Sequence, residues 1–588
     1  MVEYLAADYF FRIEDKEIGV RDSGFCFRRT PRDEDPVPNI IMISTFNINK
    51  SPTRVFIAAC LFFIAVGCLF RLWHINRNEF VFYDEGFYLN HNRAAGEMIR
   101  AHYPLDTENL RQAFRVYMRT CLASGKSLWF MIADARIFFG AVHQWFWARV
   151  MAALCGILTL FVTYCFACRF FQSRWTAWIA LALLAVLPSH VFYSRLGMQE
   201  TLSTLLVLLG FYFYLFPRTL TWRTFVSGVF FGLAFFSNYR LIMVPVLVGV
   251  AELWMSIAER RWFDLRRYIW CVLMFLCMVF GVGGTLFGGI NTYIIFSWIF
   301  HQQHLAQGEF HWMNFLIYPY NLFRLENWTF AVIFFASGWV VFKRDRRMFL
   351  PFVLVLVQMI LFSLPEEKGA RYLCVVLPFA VMSAAYLVEL VYVRFRSRRQ
   401  RTAWIAVCLL MAGLLSLKSY RIAESSSNYQ AAAEYVLDKG QDRKFVSTQK
   451  FVQDLYAADP EQVKEAPSTF EGLAADLSQG YHYLIIGPQA YMSFPEGGRR
   501  FSQTLGGPYE FIRRGIEPVR VYDHFNATMI ERFVLEHSSS LLDSTEFLRL
   551  AASRGYGKLY IYDLRLCVPI MMKTLMRYQQ RQEGGGDG

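Results

Sequence analysis

The sequence predicts a mainly α-helical, polytopic membrane bundle followed by a small α/β domain. Three observations predict it. The 588 residues are 55% hydrophobic and 18% aromatic but only 18% charged, too little charge for a soluble chain of this length. Apolar runs of about 20 residues recur from residue 55 to about 420, each enough to cross roughly 30 Å of hydrocarbon. Beyond residue 423 that character is lost, and short strand-like and helical patterns alternate. Runs of this length and composition cross lipid as helices, which satisfy their own backbone polar groups.

About 11 spans are expected, near 55–73, 147–168, 175–193, 200–216, 224–239, 241–257, 268–289, 327–342, 348–364, 372–393 and 403–420. Residues 127–142 are shorter and carry Asp134 and Arg136, so they read as an interfacial helix. The formal charge of +13 does not point to nucleic acid, because the basic residues collect in short loops between spans. Those loops hold Arg169/Arg174, Arg218/Arg223, Arg260/Arg261/Arg266/Arg267, Lys343/Arg344/Arg346/Arg347 and Arg394/Arg396/Arg398/Arg399/Arg401. The positive-inside rule assigns them to the cytoplasm, with Lys50 and Arg54. An odd span count then leaves the C-terminus outside.

The organisation expected is a polar cytoplasmic extension over 1–50, a membrane domain over 51–420, and a soluble extracytoplasmic α/β domain over 421–588 that ends in a glycine-rich tail. In the last part, 429–437 and 470–477 have helical spacing. Residues 444–447, 483–486, 518–522 and 558–562 read as strands. Most of the twelve cysteines fall in apolar spans and define no disulfide or metal framework.

The face opposite the basic loops collects a different inventory. It receives Tyr83-Asp84-Glu85 just after the first span, Lys126, the turn at Ser194-Arg195 with Glu200, Asn238-Tyr239-Arg240, and Arg371-Tyr372. Charges at span ends on one face are costly unless they serve a polar cavity. Their clustering predicts an extracytoplasmic site at the membrane boundary. A helix N-terminal charge pair is the structural alternative for Asp84-Glu85, and snorkelling to the interface that for Arg371.

The order of these pieces resembles the GT-C glycosyltransferases, above all the protein O-mannosyltransferase and lipid A aminoarabinose transferase branch (glycosyltransferase family 39-like). The matching residues are Tyr83-Asp84-Glu85-Gly86-Phe87-Tyr88-Leu89, Lys126-Ser127-Leu128-Trp129, Trp147-Ala148-Arg149 and Tyr193-Ser194-Arg195 with Glu200. Gly232 to Arg240, and Arg371-Tyr372-Leu373 with Leu377-Pro378, complete the set. Lys126-Ser127 departs from the Lys-Pro often found there.

The resemblance implies an inverting transferase that moves a sugar from a polyprenyl-phosphate carrier to an acceptor hydroxyl of a protein, lipid or glycan. Asp84 would be the base and Glu85 would orient it or the acceptor. Lys126, Arg240 and Arg371, with Tyr372, would bind the departing phosphate, for which a guanidinium fork is suited. Arg195, Glu200, Tyr83 and His91 are further site candidates. The chemistry requires no cofactor; the only metal-like pattern is His301 and His304 with His311 in an outer loop, a weak one. The expected partners are the lipid-linked sugar, its acceptor and the bilayer, in a plasma or inner cell membrane. The alternative function, a multi-span transporter or flippase, calls for an internal repeat with interrupted spans, and no convincing repeat is evident.

Overall fold

The computed structural model describes residues 53–76, 125–135, 144–282 (except 217 and 218), 312–364, 368–438, 443–488 (except 458 and 468) and 557–583, with parts of 85–117 and 509–549. Over the described residues each expected span coincides with helix, that over 268–289 being described only to Val282. The helices are α1 (Thr53–Leu72), α2 (Ser127–Asp134), α3 (Gln144–Phe171), α4 (Arg174–Val186), α5 (Pro188–Tyr193), α6 (Glu200–Leu215) and α7 (Trp222–Ser237). They continue with α8 (Val244–Ala258), α9 (Leu265–Leu276), α10 (Ile317–Asn321), α11 (Trp328–Arg344), α12 (Leu350–Ser363), α13 (Leu377–Arg394) and α14 (Arg398–Ala423). Among the described residues, five helical stretches are long and apolar enough to cross a membrane: Phe146–Phe171, Tyr239–Ala258, Leu265–Val282, Ala370–Arg394 and Arg398–Ala423. Shorter apolar helices, such as Glu200–Leu215 and Trp222–Ser237, pack among them. The protein is an integral membrane protein.

The sequence explains the interruptions. The run read as one span over 175–193 is broken at Leu187, which is extended because Pro188 follows it and opens α5. Asn238 ends α7 in an extended conformation, and its side chain accepts from the Arg240 amide at 3.1 Å, starting the 3₁₀ turn Tyr239–Met243. A second 3₁₀ turn, Ala370–Val376, leads into α13, whose first turn holds Pro378. Arg240 and Arg371 therefore project from 3₁₀ turns at span ends, not from regular helix.

The helix α2 fills the position expected of the interfacial segment and packs on α3 and α7. Its last residue, Asp134, is buried and accepts from the Tyr117 hydroxyl at 2.9 Å.

The C-terminal part builds a five-stranded mixed sheet from β1 (Lys444–Ser447), β2 (Val463–Glu465), β3 (Tyr481–Ile486), β4 (Arg520–Asp523) and β5 (Lys558–Asp563), in the order β2-β1-β3-β5-β4. β1 runs parallel to β2 and β3, while β5 is antiparallel to β3 and β4. The strand β2 escaped the sequence reading because three residues are too short for an alternating pattern. The helices are α15 (Tyr429–Leu437), α16 (Lys450–Gln453), α17 (Phe470–Ser478), α18 (Ala527–His537) and α19 (Leu564–Glu583). α17 and α19 pack together over β3.

Burial pushes the Asp134 carboxyl up to about 7, and the Tyr117 hydroxyl only partly offsets this. A raised carboxyl pKa favours the protonated folded state, so this contribution to stability is complete below the ordinary carboxylate range and is lost as pH rises through about 7. Melting temperatures of detergent-purified protein should therefore fall across that window, and Asp134→Asn should flatten that part of the profile. An unchanged profile in the variant would refute the assignment.

Candidate functional site

Glu85 anchors the site. It is fully buried, and Arg149 of α3 grips it with two hydrogen bonds, Nε to Oε1 at 2.8 Å and Nη2 to Oε2 at 3.0 Å. The Gly197 amide adds a third at 2.7 Å, and Arg149 Nη1 also donates to the Ile75 carbonyl at 3.2 Å. Both carboxylate oxygens are thus engaged, which suits Glu85 to holding its chain segment rather than to accepting a proton from a substrate. A side chain at Gly197 would press on Glu85 Oε1 at 3.3 Å and on Ala148 Cβ at 3.2 Å. Asp84, Tyr83, His91, His301, His304 and His311 lie outside the described residues.

One helical turn beyond Glu85, the buried Tyr88 receives Lys126 twice. The ammonium hydrogen-bonds its hydroxyl and lies 4.2 Å from its ring centroid. Lys126 precedes α2 and follows Gly125, whose φ of +70° suits glycine. The Gly125 carbonyl accepts from the Tyr239 amide at 3.1 Å. That bond ties the Lys126 turn directly to the Tyr239-Arg240 turn.

Arg240 in turn lies over Tyr372, its guanidinium 4.4 Å from the ring centroid, and the Arg371 guanidinium lies 5.7 Å from the same ring. Tyr372 is buried, with its backbone carbonyl held by Gln358 Nε2 at 3.2 Å and its ring against Phe362. Arg240 and Arg371 thus meet at Tyr372, and the Lys126 turn is joined to them through the Gly125–Tyr239 hydrogen bond. A cation beside an aromatic face is attracted to it while keeping donors for an anion.

Two candidates take part differently. Arg195 donates to the carbonyls of Phe70 at 2.8 Å and Ala423 at 3.2 Å, closing the ends of α1 and α14. Glu200 is buried at the start of α6, where the helix dipole favours a carboxylate, and Gln199 Nε2 donates to it at 3.0 Å.

Sequence reading missed three buried charges. Arg149 stands in the sequence only as part of the Trp147-Ala148-Arg149 motif. Arg71 is fully buried and reaches the carbonyls of Ala185 at 3.0 Å and Leu184 at 3.1 Å, with His190 Nδ1 at 2.7 Å. Glu536 of α18 pairs with Arg371, Oε1 to Nε at 3.3 Å. An arginine inside an apolar run was the available signal for the first two, since such a charge must find a partner. Glu536 carried no such signal. Among the described residues, no group of three or more histidine, cysteine or acidic side chains could hold a metal ion.

Residues 127–282 match the family model of dolichyl-phosphate-mannose-protein mannosyltransferases. The structure of ArnT from Cupriavidus metallidurans bound to undecaprenyl phosphate superposes with a TM-score of 0.50 at 13% identity, covering 75% of this chain and 94% of that one. This chain has the fold of that ArnT, the GT-C fold. The same ArnT in the apo state gives a TM-score of 0.48 at 13% identity, covering 75% of this chain and 93% of that one. Arabinofuranosyltransferase AftD from Mycobacteria gives 0.40 at 12% identity, covering 74% of this chain but only 35% of its own. No curated protein matches the chain in sequence. The GT-C fold read from motif order is borne out, and the family match includes α2, α3 and the Arg240 turn.

Removing Arg149 would leave the Glu85 carboxylate buried and uncompensated, at a cost of about 3–5 kcal/mol. Arg149→Ala should therefore sharply lower the yield and melting temperature of the purified protein, with Arg149→Lys in between. Wild-type thermal stability in Arg149→Ala would show that the pair does not hold the segment.

Proposed function

We propose that the protein is an integral-membrane inverting glycosyltransferase that moves a sugar from a polyprenyl-phosphate donor to an acceptor hydroxyl on the extracytoplasmic face. The observation that carries this reading is the convergence of Arg240 and Arg371 on the Tyr372 ring, with the Lys126 turn hydrogen-bonded alongside. The match of residues 127–282 to a mannosyltransferase family supports it. The charge asymmetry of the loops supports the choice of face.

The acceptor oxygen forms a bond to the anomeric carbon from the side opposite the phosphate. The bond from that carbon to the phosphate oxygen breaks, and its electron pair leaves with the lipid phosphate. The acceptor proton passes to the Asp84 carboxylate. The phosphate gains negative charge as it departs, a phosphodiester becoming a monoester. Cations fixed beside it therefore stabilise the transition state more than the ground state. Glu85, locked by Arg149 and the Gly197 amide, holds the segment that carries Asp84. The chemistry asks for no metal, because the lipid phosphate leaves without protonation once cations face it.

A panel of polyprenyl-phosphate sugars supplied to the purified protein in nanodiscs tests this reading. Release of polyprenyl phosphate and glycosylation of an acceptor are the readouts. Asp84→Asn should cut transfer by about 10²–10⁴-fold while the protein stays folded. Arg240→Gln and Arg371→Gln should each cut it by about 10²–10³-fold. Full activity in Asp84→Asn, or no transfer from any lipid-linked sugar in the panel, would overturn it.

A further inference from the structure

The cation site is built partly by the C-terminal region. Glu536 lies on α18, 165 residues beyond Arg371, and is buried. Its Oε1 is 3.3 Å from Arg371 Nε. Its Oε2 accepts from the Arg371 backbone amide at 3.0 Å and from the Tyr193 hydroxyl at 2.8 Å. Even the approach is close, since a side chain on Gly369 would meet Glu536 Oε1 and its carbonyl oxygen at 3.3 Å.

Helix α18 is bolted down to present this carboxylate. One turn earlier Arg532 is buried, donates through both terminal nitrogens to Ser189 Oγ at 3.1 Å and lies 4.6 Å from the Phe192 ring centroid. Glu531 receives Arg324 at 2.5 Å and Lys418 at 3.5 Å. These contacts run to α5, α14 and the turn before α11, so the helix is fastened to the membrane bundle along its length. Burial pushes the Glu536 carboxyl up to about 7, against the opposing pull of Arg371 and the Tyr193 hydroxyl. A carboxylate held at such cost beside a guanidinium is poised to be displaced by a stronger anion.

We propose that Glu536 is a positioning residue of the phosphate site, an internal carboxylate that holds Arg371 against Tyr372 when no donor is bound and yields it to the lipid phosphate. The proposal rests on the glycosyltransferase reading above. It makes the C-terminal region a working part of the site and not a cover over it. The carboxylate fixes the guanidinium in place, which favours rapid docking. It also repels the incoming phosphate, which weakens binding and eases release of the charged product.

Binding of undecaprenyl phosphate to the full-length protein in nanodiscs, measured by calorimetry, tests this. Glu536→Gln removes the charge and keeps the shape, and should bind about three- to tenfold tighter than wild type. Glu536→Ala should also bind tighter, which keeps the test valid if one variant fails to fold. The gain should vanish in an Arg371→Gln background, as a double-mutant cycle would report. In turnover, Glu536→Gln should lower KM for the lipid-linked sugar and lower kcat, because product leaves more slowly. A merely structural role predicts weaker or unchanged binding. If wild type binds the lipid and neither variant binds it tighter, the role of Glu536 is overturned. If wild type does not bind undecaprenyl phosphate at all, the glycosyltransferase reading falls, and this inference with it.

Discussion

The buried pair of Arg149 and Glu85 is the constraint on which the rest depends. It joins three parts of the chain: the segment after α1, the start of α3, and the turn between α5 and α6. An ion pair in such a place has no stability to spare, since removing two charges from water costs several kcal/mol each. It is retained only if its hydrogen bonds are nearly complete. Here two nitrogens of Arg149 and the Gly197 amide meet the carboxylate, and the Ile75 carbonyl takes another donor. The geometry is fixed as a consequence. The segment that begins at Glu85 is thereby set, and Tyr88 with it, so that Lys126 finds its partner.

The same logic recurs at other charges. Arg71 satisfies carbonyls left over where α4 ends before the Pro188 break. Glu252 of α8 gathers Arg261 at 2.7 Å, Arg267 and the Tyr214 hydroxyl at 3.0 Å, closing the turn between α8 and α9. Arg347 reaches Glu259 at 3.4 Å, which joins two of the basic loops. Charges in this bundle do not scatter. They are spent at places where regular helix fails and backbone groups would otherwise be stranded.

This explains what the sequence made legible. Hydropathy located the helices because it reports a property of each segment alone. Four of the five described strands and the two helices expected in the C-terminal part followed local pattern in the same way, whereas the longer α18 and α19 went unread. Arg240 and Arg371 were legible as cations at span ends and Lys126 as one before the interfacial helix, and motif order tied them together. What stayed hidden was pairing. The Glu85–Arg149 pair spans 64 residues and the Arg371–Glu536 pair 165, and a single sequence carries no trace of such distances. Glu85 was therefore expected to orient Asp84 or the acceptor, with no sign in the sequence that Arg149 and the Gly197 amide engage both its oxygens. Arg195 was read as a site residue for the same reason; its guanidinium turns to the carbonyls of Phe70 and Ala423.

The C-terminal region meets the membrane part at two places that matter for the proposed chemistry. Beside the acidic segment, Asn90 Nδ2 donates to the Phe451 carbonyl at 2.5 Å and Arg93 donates to the Asp454 carbonyl at 3.0 Å. A side chain on Gly86 would strike Val452 at 2.8 Å and the Phe451 carbonyl at 2.9 Å, so glycine next to Glu85 is what lets α16 come so near. Beside the cations, α18 brings Glu536 to Arg371. One folded unit, built around a single sheet, thus touches both the segment that carries the proposed base and the residues proposed to hold the leaving group. Base and cations must keep a fixed separation for attack opposite the departing phosphate, because misplacement by about 1 Å is enough to cost 10²-fold. Contacts from α16 on one side and α18 on the other tie both places to the same folded unit.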